Sequence, residues 1–450
     1  MKCIEDEIPF ELPQGWLWTR VGNIASVRGG KRIPKGMSFS AEPTDHAYIR
    51  VTDMKNHTVM MDTLKYISDE VFSYIQNYTV AKNDLYITIA GTIGAVGEIP
   101  DELEGMNLTE NAVKVSSVLI NKHFLCLMLQ SEYVQKQFKH KTYQVAMPKL
   151  GLERILTTLI PICNERVQQA VCKTINSVTE FVDALDANYQ ELQTLIGITK
   201  SKILDLAIRG QLVPQDPTDE PASVLLERIR VEKEELIKAG KIKRDKKESV
   251  IFKGEDNSYY EKIGKTTVCI DSEIPFELPN GWIWCRGYSC FSGMETKRPD
   301  GDFFKYIDID SIDNKAHKVK QPKYLATKDA PSRASRTVQT GSVLFSFVRP
   351  YLENIAYINE ENKDCIASTG FYVCNSNGIL FPPFMYFLMI SEYVVQGLNQ
   401  FMKGDNSPSI GKDNIENWLY PIPPINEQKV ICQSLEHLFD LINTVKKSLS

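Results

Sequence analysis

The sequence predicts an α+β protein that contains two related, mixed α/β domains in tandem and two long coiled-coil helices. Three observations support this prediction: an internal repeat of roughly 160 residues, short β-branched and aromatic runs within each copy, and two segments with coiled-coil spacing. A chain of 450 residues accommodates about three domains of ~150 residues. With 43% hydrophobic and 24% charged residues, the composition excludes disordered, collagen-like and small disulfide-stapled proteins.

The repeat is clearest at its two ends. The sequence EIPFELPQGWLWTR at residues 7–20 returns as EIPFELPNGWIWCR at residues 273–286, with 11 of 14 positions identical. At the other end, LIPICNERVQQ resembles YPIPPINEQKV. A period this long indicates duplicated domains rather than a solenoid, whose units are far shorter. We call residues 7–169 the first copy and residues 273–430 the second copy.

Within each copy the sequence predicts both strands and a helix. Runs such as Leu85–Ala90 and Val343–Val348 are rich in β-branched and aromatic residues and are bounded by Gly, Asn and Asp, which predicts short strands. One helix per copy is predicted, over 122–139 in the first copy and over 384–402 in the second. We therefore expect each copy to be a mixed α+β domain.

After the first copy the apolar residues follow the alternating three- and four-residue steps of a coiled-coil seam. Asn164 and Glu165 supply a start and Gly210 an end for a helix of about 44 residues, roughly 65 Å long. The same spacing resumes at Ile431, so we expect these two helices to pair with each other. The seam residues are Val171, Ile175, Val178, Val182, Leu185, Leu192 and Ile196 in the first helix and Ile431, Leu435, Leu438, Ile442 and Val445 in the second.

Two further features of the helical segments follow from the sequence. A proline-containing loop after Gly210 precedes a shorter helix, for which we expect Asp219 as the N-terminal cap and Gly240 as the end. The final helix reaches Ser450 about twenty residues before the position that matches Arg209. Either the chain is truncated there or the final helix is naturally shorter than its partner.

Sequence motifs of catalysis are not found where they are needed. Gly264-Lys265-Thr266 resembles the end of a P-loop, but Tyr259 stands where the first glycine of that motif is required. The glycines of 91–97 are spaced GxxGxxG, which favours a tight loop between strands over a dinucleotide site. Phe381 precedes Pro-Pro-Phe where enzymes that methylate exocyclic amines carry a polar residue, so this segment predicts a helix start. We expect a chain without a catalytic centre.

Metal sites, disulfides and membrane segments are also not predicted. The ten cysteines form no CxxC pair and the six histidines form no HExxH motif, which favours reduced packing cysteines and no metal. The longest mostly apolar run, Ile379–Ile390, is shorter than the roughly twenty residues of a membrane-spanning helix. Acidic residues near the N-terminus differ from the apolar centre of a signal peptide. We therefore expect a cytoplasmic protein.

Local clusters of cations carry a nucleic-acid-binding hypothesis, because the net charge of −5 argues against a basic footprint over the whole chain. Residues 28–35, RGGKRIPK, place four cations beside glycines that let backbone N–H groups approach a phosphate. Any single cation is more often a solvated surface residue, and loop Asn, Gln and Ser are also ordinary turn residues. The hypothesised contacts are Arg28, Lys31, Arg32, Lys35, Asn107, Asn111 and Gln144 in the first copy and Lys297, Arg298, Arg333, Arg336, Arg349, Asn406 and Ser407 in the second.

Two tryptophan pairs, Trp16 with Trp18 and Trp282 with Trp284, allow either base stacking or burial in the core. They alternate along a strand-like segment after Leu-Pro-x-Gly, and alternate residues of a strand share one face. Burial of aromatic side chains in each copy is therefore the favoured interpretation.

Together these residues resemble a known family. Tandem copies that each open with E-L-P-x-G-W and close with a proline-bearing strand end, Asn-Glu and a long helix resemble the specificity subunit of type I DNA restriction-modification systems. The segment GQLVPQDPTDEPASVLLERIRVEKEELIKAGKIKRDKK, residues 210–247, looks like the central conserved region of that family. The first copy departs from the commoner Pro-Pro-x-Asn-Glu form, since it reads Ile-Cys-Asn-Glu at 162–165.

The resemblance implies an organisation, in which two long antiparallel coiled-coil helices separate the two mixed α/β domains, and a set of partners. It implies a target recognition domain at 1–164, a central conserved helical spacer at 165–248, a second target recognition domain at 249–426 and a short C-terminal conserved helix at 427–450. Each recognition domain is then expected to read one half of a split double-stranded DNA target. The implied partners are two modification subunits, which use S-adenosylmethionine to methylate adenine, and two restriction subunits, which use ATP and Mg. The chain itself is expected to bind no cofactor.

Two other interpretations stay open at this point. One is a tandem protein-binding scaffold without a DNA role, and the other is an enzyme that acts on an acidic polymer. The bases that the two copies read do not follow from the sequence.

Overall fold

The computed structural model describes residues 5–139, 149–242 and 247–448. The chain divides into two compact units, Met1–Ala187 and Asn188–Ser450, and the boundary lies within one long helix. Each unit contains one copy of the repeat. Helices and strands are mixed in both units, and the long helix is present, so the predicted fold class is confirmed.

Each copy is closed by antiparallel pairing of its first and last strands. In the first copy Leu17–Arg20 pairs with Leu159–Ile162, and Arg20 lies opposite Leu159. In the second copy Ile283–Arg286 pairs with Leu419–Ile422 in the equivalent register. The chain between these strands therefore leaves and returns at one place in both copies.

Besides the closing pair, the described residues of the first copy form two sheets, a small hairpin and five short α-helices. In order across the sheets, the strands are Ser26–Gly29, Ala112–Ser116, Leu85–Thr88 and Val96–Glu98, and then Lys65–Tyr66, Ala47–Ile49 and Asn107–Leu108, with the hairpin at Met54–Lys55 and Thr58–Val59. The helices are Val21–Ile24, Asp69–Ile75, Lys122–Gln130, Glu132–Lys139 and Leu152–Thr157, and the 3-10 turns are Glu5–Glu7, Val51–Asp53 and Asp101–Leu103.

The second copy contains a four-stranded and a five-stranded sheet. Across these sheets the strands are Lys323–Ala326, Phe303–Ile307, Ile366–Ser368 and Ala334–Thr337, and then Ile312–Asp313, Lys318–Val319, Ile355–Tyr357, Val343–Ser346 and Phe371–Cys374. The helices are Gly287–Cys290, Pro382–Met389, Glu392–Asn399 and Lys412–Asn417, and the 3-10 turns are Asp271–Glu273, Ile309–Ser311, Thr327–Asp329, Pro350–Leu352 and Glu360–Asn362.

The strands predicted from apolar runs lie at the centre of each copy. Every residue of Leu85–Thr88 and of Val343–Ser346 is buried. Leu85 and Ile87 belong to one buried cluster and Tyr86 to another. A strand that separates two apolar clusters needs apolar residues on both faces, which explains the continuous run.

The prediction of one helix per copy is wrong, because each predicted helix is broken in two. The breaks fall at Ser131 and Ser391, the serines of the repeated sequence Ser-Glu-Tyr-Val. Both serines are in extended conformation, and the hydroxyl of Ser391 accepts a hydrogen bond from the backbone N–H of Val394. This is the geometry of a helix N-cap, so each serine starts a new helix.

The long helix spans Glu165–Ile208, 44 residues, as predicted. Asn164 caps it by accepting a hydrogen bond from the N–H of Val167 at 3.0 Å, and Gly210 follows it with φ of +69°. The shorter helix, Ala222–Lys238, begins two residues later than predicted because Pro221 occupies the N-cap. Asp219 does not cap this helix; its carboxylate accepts a hydrogen bond from Asn426.

Within the second unit the end of the long helix packs antiparallel against the C-terminal helix, Ile425–Ser448. Lys200 donates to Asn443 at 2.6 Å, whereas Gln215, farther along the chain, donates to Glu427. Leu204 shares a buried cluster with Ile431 and Leu435 of the C-terminal helix.

Burial of the predicted seam is uneven. Ile431 and Leu435 are fully buried, and Val171, Ile175, Leu192, Ile196, Leu438 and Ile442 are partly buried. Val178, Val182, Leu185 and Val445 are about half exposed. The seam of the long helix is therefore covered toward its two ends and exposed in its middle. The seam of the C-terminal helix is covered at its start and exposed at Val445.

A three-stranded antiparallel sheet, which the sequence reasoning did not predict, stands directly before the second copy. Its strands are Ser249–Lys253, Tyr259–Ile263 and Thr266–Cys269, and we call it the meander. Gly264, with φ of +58°, and Lys265 form its second turn, so the P-loop-like residues are part of a hairpin. In the described part of the chain, no helix has the combination of length and apolar character that a membrane span requires.

His123 joins the first copy to the long helix. Its Nδ1 lies 2.6 Å from Oε1 of Glu98 and its Nε2 lies 2.9 Å from Oδ1 of Asn176. Burial opposes the charged ring, but hydrogen bonds to Glu98 and Asn176 outweigh it and raise the pKa of His123 above its ordinary 6.5. With both nitrogens facing oxygen acceptors, the imidazolium satisfies both contacts.

We predict that the first unit loses stability as pH rises through neutrality. A group whose folded pKa is raised stabilises fully below its unfolded pKa of 6.5, and this contribution is lost as pH passes its folded pKa. Urea unfolding of the full chain at pH 6 and pH 8, followed by hydrogen exchange at 122–130, measures the change. In His123→Gln the difference between the two pH values should shrink; an equal difference in both proteins would contradict the assignment.

Candidate functional site

The basic segment of the first copy is held by backbone hydrogen bonds. Gly30 donates to the carbonyl of Ala112 at 3.1 Å and Lys31 donates to that of Leu108 at 2.9 Å. A Cβ on Gly30 would overlap with the carbonyl oxygens of Leu108 and Thr109, so only glycine fits this close approach. The four predicted cations of this segment are all exposed: Arg28, Lys31, Arg32 and Lys35.

Glu110 and Tyr48 contact this basic segment. Nε of Arg32 lies 2.5 Å from Oε1 of Glu110, and the hydroxyl of Tyr48 donates to the carbonyl of Lys31 at 2.8 Å. Burial alone would raise the pKa of Glu110, but the hydrogen bond from Arg32 contributes to a net lowering. Burial raises the pKa of Tyr48 to about 12. Glu110 therefore stays ionised and offsets part of the charge of the cluster.

Sequence reasoning missed the residues that shape this segment. Glu110 and Tyr48 were not candidates, nor were Tyr78, whose ring lies 5.6 Å from Nζ of Lys31, and Lys149, which donates to the carbonyl of Glu110. Glu110 directly precedes the predicted contact Asn111, and this position in the sequence was the one indication that Glu110 lies near the basic segment. The others come from distant parts of the chain.

The three predicted amide side chains of the first copy have different positions. Asn111 is partly buried, and its side-chain amide makes no hydrogen bond with the described residues. Asn107 is fully buried, and its Nδ2 donates to the carbonyl of Ile75 at 2.8 Å. We therefore do not retain Asn107 as a surface contact, since its amide serves the core. Gln144 lies outside the described residues.

In the second copy a groove of about 630 Å³ brings together predicted residues that are distant in sequence. Arg333, Arg349 and Ser407 line it, and Asn406 accepts a hydrogen bond from Arg349 through its backbone carbonyl at 3.0 Å. Residues that sequence reasoning did not name also line it: Tyr306, Asp308, Asp310 and Asn314. The groove thus offers both donors and acceptors over an open surface.

Arg349 has a strained backbone at the edge of this groove. Its φ of +47° lies in the left-handed region, where a non-glycine residue costs about 1–2 kcal/mol. In the first copy Gly91, with φ of +78°, occupies the corresponding place after the equivalent strand. Retaining an arginine where glycine fits better indicates that the side chain is needed at this position.

The remaining predicted cations of the second copy lie beside strand Ala334–Thr337. Lys297 pairs with Asp300 at 2.8 Å, and its backbone N–H donates to the carbonyl of Ser335. Arg298 is exposed. Arg336 is partly buried, and its Nε has no hydrogen-bond partner among the described residues. These three residues do not line the groove.

The two copies present different charges at equivalent positions. Arg50, in the first copy, forms hydrogen bonds with Asp53 at 2.6 Å and 3.0 Å. Asp308, at the matching position of the second copy, instead pairs with Lys323. Both copies form the same short 3-10 turn at this place, Val51–Asp53 and Ile309–Ser311, with hydrogen bonds across it. The same backbone conformation therefore carries side chains of opposite charge in the two copies.

The tryptophans of the second copy are core residues, as predicted. Trp284 is 1% exposed, and Trp282 is buried with its Nε1 donating to Glu427 at 2.9 Å. In the first copy Trp16 and Trp18 are only partly buried. Most described cysteines are buried, and burial raises the pKa of Cys126 and Cys432 to about 12, which suppresses thiolate formation at neutral pH.

Comparisons with known proteins agree on one family. The sequence model described as "Type I restriction modification DNA specificity domain" matches residues 13–194 and 294–450. The chain is 24% identical to the type I restriction enzyme EcoAI specificity subunit of Escherichia coli, over 98% of this chain and 80% of that protein. It is 23% identical to the EcoEI specificity subunit of the same organism, over 100% and 82%.

A solved structure shares the fold. It is described as "Structural basis underlying complex assembly and conformational transition of the type I R-M system", and the match covers 98% of this chain and 94% of that chain. The TM-score is 0.57 at 16% sequence identity, so the similarity concerns the fold alone.

We predict that Gly30→Ala displaces the basic segment, because the added Cβ meets two backbone carbonyls that cannot move independently. The expected cost is about 1–3 kcal/mol, typical of overpacking. Gly29→Ala is the matched control, since a Cβ at Gly29 meets nothing within 4 Å. Urea midpoints and hydrogen exchange over 30–36 measure both variants, and equal behaviour of the two would contradict the close packing at Gly30.

Proposed function

Because the chain belongs to the family of type I restriction-modification DNA specificity subunits, we propose that it binds a bipartite double-stranded DNA target and directs partner subunits to methylate or cleave DNA. The relatives are named as specificity subunits of restriction enzymes. Their names support a role in selecting the target rather than in catalysis.

One observation carries the bipartite target: two copies of one fold present different side chains at equivalent positions. Arg50 is matched by Asp308, and Gly91 is matched by Arg349. Base edges in the major groove differ in their donors and acceptors, so different side chains read different bases. We infer that each copy reads its own half of the target.

The two kinds of surface suit two kinds of DNA contact. The exposed cations of the basic segment suit phosphate oxygens, which position a protein without reading sequence. The groove of the second copy suits base edges: Arg349 matches the acceptors of guanine, and the carboxylate of Asp310 matches the amino group of cytosine. In this proposal the acidic net charge is compatible with binding because only the contacting face must be positive.

The proposed partners are two modification subunits and two restriction subunits. S-Adenosylmethionine, ATP and Mg would be used by those subunits, and this chain would bind none of them. The half-exposed residues in the middle of the long helix, Val178, Val182 and Leu185, are available to a partner. A tandem protein-binding scaffold without a DNA role is the competing function, and it predicts no sequence-dependent methylation.

We predict that replacing 21–158 by 287–418 gives both halves of the target the specificity of the second copy. The exchanged segment starts and ends at strand pairs with the same register, so the closing strands keep their partners. The variant is combined with modification subunit, and its methylated adenines are mapped by sequencing. The unaltered chain is the control, and an unchanged first half-site in the variant would exclude separate reading by the two copies.

We predict that Arg349→Ala relaxes the requirement for one base pair in the second half-site, by about 1–3 kcal/mol of discrimination. Lys297→Ala is the control, because Lys297 is an exposed cation of the same copy that does not line the groove and should therefore leave base discrimination unchanged. Competition binding with a set of single-base-pair variants of the target separates the two effects. Uniform weakening by Arg349→Ala would assign this arginine to phosphate instead.

A further inference from the structure

The first strands of the two copies carry the same aromatic cluster. In the first copy Trp18 packs edge-to-face against Phe10 and Tyr133. The repeat assigns their counterparts in the second copy: Phe276, Trp284 and Tyr393. The same aromatic cluster therefore occurs twice in the chain, and its neighbours in the two copies can be compared.

In the second copy the meander covers this surface with apolar side chains. Ile251 and Tyr259 of the meander, together with Ile270, form one buried cluster with Trp284. Trp284 is 1% exposed as a result. The cover is thus a pair of strands with one apolar face.

The meander also supplies one charge of each sign. Glu261 accepts hydrogen bonds from Nε and Nη2 of Arg286, the latter at 2.9 Å, and both side chains are nearly buried. Lys253 pairs with Glu277 at 2.9 Å. The covering segment therefore combines a carboxylate, an ammonium and apolar residues.

Within the first unit, no strand of the described residues 5–139 and 149–187 takes the place of the meander. Phe10 is 49% exposed, and Trp18 is only partly buried, whereas its counterpart Trp284 is buried. Arg20, the counterpart of Arg286, bonds to Glu7 and to the carbonyl of Thr157, but its Nε donates to no described residue. Glu11, the counterpart of Glu277, is exposed and has no ion-pair partner among the described residues.

The charges around the uncovered surface disfavour DNA as its occupant. Glu11, next to Phe10 in sequence, is exposed, and Arg20 is already paired with Glu7, so a phosphate would meet a carboxylate rather than an unpaired cation. The second copy shows what complements such a surface: protein strands with paired charges. A protein segment is therefore the occupant that the chemistry favours.

We propose that this surface of the first copy, defined by Phe10, Glu11, Trp18 and Arg20, docks a strand-forming segment of the modification subunit. The segment supplies a carboxylate to Nε of Arg20, an ammonium to Glu11 and apolar side chains to Trp18. This assignment rests on the proposed function, in which the modification subunit is a partner of this chain.

The first test uses point variants and purified modification subunit. Phe10→Asp places a charge on the apolar part of the surface, and Glu11→Lys removes the site for the ammonium. Each should weaken binding about tenfold or more, as a central interface residue does. Leu119→Asp is the matched control, since Leu119 is 76% exposed in the same copy but lies outside this surface. Equal binding by all three variants and the unaltered chain overturns the proposal.

The second test covers the surface from within the chain. Residues 249–272 are placed directly before Glu7 of the full-length protein, as they precede Glu273 in the second copy. The grafted meander should slow hydrogen exchange at 16–20 and reduce modification-subunit binding at least tenfold. A graft that carries Glu261→Gln should slow hydrogen exchange at 16–20 less and should reduce modification-subunit binding less. If the graft does not slow hydrogen exchange at 16–20, the inferred chemistry of the surface is wrong. If it slows exchange but modification-subunit binding is unchanged, the modification subunit is not the occupant.

Two further outcomes separate the occupant from the proposed function. If the unaltered chain sediments as a dimer that the graft dissociates, a second copy of the chain occupies the surface, and the modification subunit does not. If the unaltered chain binds no modification subunit and supports no sequence-dependent methylation, the proposed function itself fails. If the unaltered chain supports sequence-dependent methylation and only Phe10→Asp and Glu11→Lys lose modification-subunit binding, both the occupant and the proposed function are supported.

Discussion

The pairing of the first and last strands of each copy is the constraint on which the rest of the molecule depends. One arginine secures it in each case: Arg20 bonds to Glu7 and to the carbonyl of Thr157, and Arg286 bonds to Glu273 and to the carbonyl of Asn417. Such charge-assisted bonds hold three chain segments together at one point. Since a helix starts within a few residues of each last strand, this pairing also fixes where the helix leaves the copy.

A shared backbone with divergent side chains explains how duplication yields two functions on one chain. The central strand is buried on both faces in each copy, so its residues are constrained by packing. The turn that follows is exposed, and there glycine in one copy corresponds to a strained arginine in the other. Packing therefore preserves the scaffold, while exposed loops are free to change their chemistry.

The candidate surfaces were only partly predictable, for reasons visible in particular residues. Arg333, Arg349 and Ser407 were identified by type and meet in one groove, but Asp310 and Asn314 complete it from a separate turn. Glu110 was not foreseen because its contact with Arg32 joins residues 78 positions apart. Asn107 has the composition of a loop residue, yet its strand places it in the core. Residue type suggests chemistry, whereas burial decides whether that chemistry is available.

The sequence by itself determined the duplication, the central strands and the bounds of the long helix, because these depend on local periodicity and on capping residues such as Asn164 and Gly210. It did not determine the break at Ser391, where a local cap competes with helical propensity, or which seam residues are covered. Tertiary structure alone decided that the meander covers Trp284 while Phe10 stays half exposed, since burial is a property of segments that meet only after folding.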